Sequence, residues 1–141
     1  MEIQYRLESI AETEFKIDFD FDYSRFEPDK LSVQIGHKYT PDMDNDRLSI
    51  EAVAIMVYGD QEIQLARNSV RLTFGLVPIR EIVKLKEDGS LSSKNNQVID
   101  TFIIATIGTL RGTMLKNLKG TPLEPYFIPL IPIENFKVSP K

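Results

Sequence analysis

Residues 96 to 118 constrain this chain more than any other stretch. Ile99, Ile103, Ile107, Leu110, Met114 and Leu118 recur at steps of three and four, the period of one helix face. Both ends carry boundary signals. Ser93, Asn95 and Asn96 are candidate N-caps, because a short polar side chain accepts from the free amides of a first turn. Gly120 suits the left-handed residue after a helix, and Pro122 blocks continuation. Lys116 and Lys119 complement the negative end of the macrodipole.

A second stripe runs beside the first: Phe102, Ala105, Thr109 and Gly112, with Gly108 close by. An interior glycine costs a helix about 0.8–1 kcal/mol relative to alanine, so two predict a compensating contact. Small residues let a neighbouring backbone come close. The helix either packs tightly on its own sheet through both stripes or is sandwiched between that sheet and another subunit. In the second case Ala105, Gly108, Thr109 and Gly112 form an oligomer interface. A functional kink is the third reading.

What lies before the helix reads as strands. Phe15, Ile17, Phe19, Phe21 and Tyr23 alternate with Lys16, Asp18, Asp20 and Asp22, a period of two, and Ile3, Tyr5 and Leu7 form a shorter alternation upstream. A second strand follows from Leu31 to about Lys38 and a third over residues 48–58. The third is apolar at every position from 52 to 57, which predicts cover on both faces. After a hairpin turn at Gly59 and Asp60, residues 62–77 form a long fourth strand with Val70, Leu72, Phe74 and Leu76 on one face. The segment from Ile79 to Leu85 is helical or extended. The expected fold is α+β: a four-stranded, mainly antiparallel meander packed with one long helix, in one domain over residues 1–141.

Composition narrows the function classes. A chain of 141 residues with 42% hydrophobic and 27% charged residues can bury a core without staples. A net charge of −4 argues against nucleic acid. The start of the chain lacks the pattern of a signal peptide, and no apolar run reads as a membrane span, so a cytoplasmic location without membrane insertion is expected. Cysteine is absent, which removes disulfides, thiolate metal sites and thiol nucleophiles.

No catalytic motif emerges, and no enzyme, cofactor or metal is expected. Asp42, Asp44 and Asp46 alternate as in a calcium loop, but the loop's glycine is missing and Val53 stands where its glutamate is needed. His37 reads as structural or surface. Asp18, Asp20 and Asp22 read as a solvated strand face or as an acidic docking patch for a basic partner. Arg111, next to Gly112, reads as an anchor for a carboxylate or a free carbonyl.

Behind the helix, Pro122, Pro125, Pro129 and Pro132 punctuate a very apolar segment, which predicts an extended strap over the domain or a partner. This order of elements resembles the SecB family of export chaperones and its SecB-like relatives. Residues 5–18, with Thr13-Glu14-Phe15, are similar to the family's opening strand. Residues 48–77, with Phe74-Gly75, resemble its central hairpin, and Arg111-Gly112 an Arg-Gly near the end of its helix. Residues 127–136 are similar to its closing proline–apolar segment. The resemblance implies an ATP-independent holdase that binds unfolded or pre-export polypeptides in apolar grooves and assembles as a homo-oligomer, a dimer or tetramer. Phe74, Leu76, Ile79, Ile82, Tyr126, Phe127 and Ile131 are the groove candidates, with ordinary core as the equal alternative for each. A SecB-fold interaction or adaptor protein with one dedicated protein partner, for example antitoxin-associated, and not a general chaperone, is the other function.

Overall fold

The computed structural model describes residues 2–88, 90–132 and 139–140. Four strands make the main sheet: β1 (Gln4–Ile17), β2 (Leu31–Asp42), β3 (Arg47–Tyr58) and β4 (Ile63–Val77). A single turn, α1 (Ile79–Ile82), leads into the short strands β5 (Val83–Leu85) and β6 (Leu91–Ser93). The long helix α2 (Asn96–Asn117) follows, and β7 (Ser139–Pro140) pairs parallel with β6. The fold is the expected α+β arrangement of an antiparallel four-stranded sheet with one long helix.

Two details differ from expectation. The order in the sheet is β1-β4-β3-β2, so β2, β3 and β4 form a meander while β1 closes on β4. This leaves β1 and β2 as the edges. The first strand also lies earlier than its alternation suggests. β1 runs through the residues between the two apolar alternations, with register shifts between Leu7 and Ser9 and between Glu12 and Glu14. Each bulge resets the period of two, which is why the sequence pattern breaks there. The strand ends at Ile17 because Asp18 turns the chain: its Oδ1 accepts from the amides of Asp20 and Phe21.

The register sorts the sheet into two faces. One carries Leu48, Ile50, Ala52, Ala54 and Met56 of β3 opposite Phe74, Leu72, Val70, Asn68 and Ala66 of β4, all buried beneath α2. The other carries ion pairs. Glu8 sits between Arg6 and Arg47, and Glu14 between Lys16 and Arg67. Arg47 holds the Glu8 carboxyl below its usual range, and Arg67 does the same for Glu14. Gly75 makes room for the first of these, since a Cβ there would stand 3.0 Å from Glu8 Oε2. The expected cover on both faces of residues 52–57 therefore holds on the helix side, while Val53 and Ile55 are half-buried among long polar side chains.

α2 begins at Asn95, whose side chain accepts from the Val98 amide at 3.3 Å, and Gly120 follows it at φ +79°. The whole Ile99-to-Leu118 stripe is buried on the sheet. By length and composition α2 could cross a bilayer, contrary to the sequence expectation, but the large side chains of its Ile99-to-Leu118 stripe are spent on the domain's own core. A polar link centred on the buried Asn68 joins three elements. Asn68 Nδ2 donates to Glu12 and to the Glu14 carbonyl, and Asn117 Nδ2 donates to Asn68 and Glu12. Such a network is costly unless filled, and here it ties β1, β4 and α2 into one register.

Candidate functional site

The proline-punctuated segment is laid back along the body of the domain and pinned at three places. Leu123 and Ile128 are buried pegs. Arg111 supplies the third pin: its Nε donates to the Ile128 carbonyl and its Nη2 to the Pro129 carbonyl, both at 2.9 Å. The anchor role expected for Arg111 is thus filled by free carbonyls. Prolines cannot extend a ladder, so these carbonyls need side-chain donors. Arg111→Ala is expected to loosen the segment by about 1–3 kcal/mol. Chymotryptic cutting after Phe127 should then accelerate; an unchanged rate would show that the two buried pegs hold the strap alone.

The strap borders a groove of about 450 Å³ against the start of the edge strand β2. Its walls include Pro28, Leu31, Val33, Tyr126, Phe127 and Pro129. Tyr126 stands on an aromatic cluster in which Phe26 meets it at 5.3 Å and stacks on Tyr58 at 5.0 Å. Two side chains point away from this support: Phe127 is 61% exposed and Leu130 91%. Large apolar groups with that exposure, next to an edge strand of the sheet, form a surface suited to extended peptide.

The seven groove candidates divide accordingly. Phe74, Leu76, Ile79 and Ile82 are at most 3% exposed and belong to the main core, the alternative reading for each. Tyr126, Phe127 and Ile131 lie on the strap, Phe127 exposed and the other two half-buried. Pro28, Leu31, Val33 and Leu130 were missed. The first three come to the groove from β2 and its lead-in, a juxtaposition that no local pattern encodes. The end of the resembling segment, residues 133–136, falls outside the described residues.

The small stripe of α2 also divides. Phe102 is buried, and Ala105 and Thr109 are half-buried. Gly108 and Gly112 are exposed, and a Cβ on either meets no atom within 4 Å, so the domain's own sheet does not pack against them. On the same outward face Ile104 is 63% and Leu115 46% exposed. Tyr5, Leu7 and Ile10 of the edge strand β1 are exposed as well.

The remaining candidates have local partners. Asp22 caps a short turn by accepting from Ser24, and Asp18 holds the turn after β1, so of the three aspartates read as a strand face none lies on a strand. Asp42 accepts from Asn45, Asp44 pairs with Arg80, and Asp46 accepts from the Ile79 amide. The last two fasten the β2–β3 hairpin to α1. His37 sits in edge contact with Tyr39, and burial lowers its imidazole below the ordinary range. Burial, with the charge of Asp100, raises the Tyr39 phenol.

No family model matches the chain, and no curated protein matches it in sequence. Among solved structures, the fold is similar to the Mycobacterium tuberculosis Rv1957 SecB-like chaperone, which was solved in complex with a ChAD peptide from the Rv1956 HigA1 antitoxin. The likeness covers 90% of this chain and 89% of that one, at a TM-score of 0.55 and 10% identity. At that identity it establishes the fold, which is SecB-like.

Proposed function

We propose that this chain is an ATP-independent, SecB-like polypeptide-binding protein that works in the cytoplasm as a homo-oligomer. The observation that carries the reading is the groove beside β2. It offers exposed apolar side chains on a pinned strap beside an edge strand of the sheet. A non-native chain would add its backbone to that edge and place alternate side chains against Phe127 and Leu130. Such contacts select for extended, apolar sequence and need no hydrolysis. The outward face of α2, with Ile104, Leu115 and the two glycines, supports assembly between copies, since a lone subunit would leave that apolar face in water.

Phe127→Ser combined with Leu130→Ser tests the groove. Neither side chain supports the fold, so the melting temperature should stay near the parent's. Protection of an unfolding client from aggregation, read by light scattering, should fall at least severalfold. Full protection by the double variant, or none by the parent, would sink the reading. The second reading is an adaptor for one dedicated partner, favoured by the antitoxin peptide bound to the similar chaperone. It predicts protection of that partner alone and a single dominant species in a pull-down.

A further inference from the structure

The two walls of the groove beside β2 come from distant parts of the chain. Leu31 and Val33 belong to β2, and Tyr126 and Phe127 to the strap. The strap runs between two buried residues, Leu123 and Ile128. Between these pegs Tyr126 rests on an aromatic stack. Its ring meets Phe26 at 5.3 Å, and Phe26 in turn stacks on Tyr58, the last residue of β3, at 5.0 Å. Among the described residues no ring contact joins Tyr58 to Tyr126 directly, so Phe26 is the ring that links the sheet to the strap. The base of the stack is well held. The Glu27 amide, next in sequence to Phe26, donates to the Tyr58 hydroxyl oxygen at 2.9 Å. Tyr23 lies 6.3 Å from Phe26 and donates its own hydroxyl to the Asp18 carbonyl. Phe21 sets its ring edge-on to both Tyr23 and Tyr58, 5.1 Å from each. Phe26 itself is half-buried and is not among the groove's wall residues.

We propose that Phe26 is a specificity-determining positioning residue of this groove: its ring sets where the strap stands relative to β2, and so the size of client side chain that fits beside Tyr126 and Phe127. The proposal rests on the groove being the client site. An aromatic ring is a stiff spacer of fixed thickness. A shorter aliphatic residue at position 26 leaves a gap between Tyr58 and Tyr126, and packed interiors close such gaps wherever a neighbour can move. The span between the two pegs is the part able to move, because its prolines take no part in a sheet ladder. Arg111 holds it only from the Ile128 carbonyl onward. With a smaller residue at 26 the span settles inward and the groove narrows. Bulky client side chains lose most from that narrowing, and small ones least.

The test uses the full chain and two short labelled peptides, read by fluorescence anisotropy. Both carry apolar side chains at alternate positions of the same polar sequence, phenylalanine in one and valine in the other. The parent should bind the phenylalanine peptide more tightly, because it buries more apolar surface. Phe26→Leu should lower the ratio of the two affinities roughly fivefold, chiefly by weakening the phenylalanine peptide. Phe26→Tyr, which keeps the thickness of the ring, should keep the parent's ratio. Thermal melts of the same samples read folding apart from binding. Where Phe26→Leu is too unstable to assay, Phe26→Trp carries the test, since a larger ring should shift the ratio the other way. A ratio indifferent to the residue at 26, or an equal loss of both peptides in Phe26→Leu, means that Phe26 is ordinary packing and overturns the proposal while the groove remains the client site. Binding of neither peptide by the parent overturns the groove reading, and this proposal with it.

Discussion

Replacing Phe102 with alanine is expected to lower the unfolding free energy by about 3–5 kcal/mol, the range for deleting a large buried aromatic. Phe102 is 1% exposed in the second turn of α2 and stacks flat on Phe74, with ring centroids 4.0 Å apart. Tyr5 closes its edge at 5.6 Å. The side chain therefore joins the helix to β4 and to the edge strand β1 at one point. Few atoms can move into the space, because Phe74 is itself fixed by the sheet ladder and α2 is held at both ends. Domains of this size have total stabilities of about 5–15 kcal/mol, so the variant should be marginal at body temperature. Urea unfolding followed by circular dichroism measures the change. A loss under about 1.5 kcal/mol would mean that the helix settles onto the sheet without this contact.

The long helix was legible because a buried stripe, a polar cap and a terminal glycine are all local signals, and the structure uses each of them. β3 and β4 were legible for the same reason, through Val70, Leu72, Phe74 and Leu76 on one face. β1 was half-legible. Its bulges at Leu7/Ser9 and Glu12/Glu14 shift the apolar positions from one parity to the other, so a fixed period of two sees two short strands where one long strand runs. The neighbour of β1 was not legible at all, since pairing with β4 rather than β2 is decided by packing across the sheet. The site followed the same division. Tyr126, Phe127 and Ile131 stood out as apolar residues between prolines. Phe74, Leu76, Ile79 and Ile82 looked the same in sequence, and only the position of α2 makes them core.

The sequence left two partners open for the small face of α2, and the structure removes one of them. Gly108 and Gly112 have open space before them, so packing on the domain's own sheet is not what offsets their helix cost. Gly108→Leu and Gly112→Leu are therefore expected to leave the subunit folded, and each should stabilise α2 by up to about 0.8–1 kcal/mol, because leucine propagates a helix far better than glycine. Their effect on assembly should have the opposite sign. Overpacking a close contact costs about 1–3 kcal/mol, and across a two-fold interface it counts twice. The expected penalty of ~2–6 kcal/mol raises the dissociation constant from roughly thirtyfold to beyond ten-thousandfold. Light scattering and thermal melts on the same samples read the two effects apart. A subunit that melts higher yet no longer assembles identifies a second copy as the partner of this face. A variant that melts higher and assembles like the parent places the interface elsewhere, and the exposed Ile104 and Leu115 beside the glycines would then have to be covered by the bound polypeptide itself.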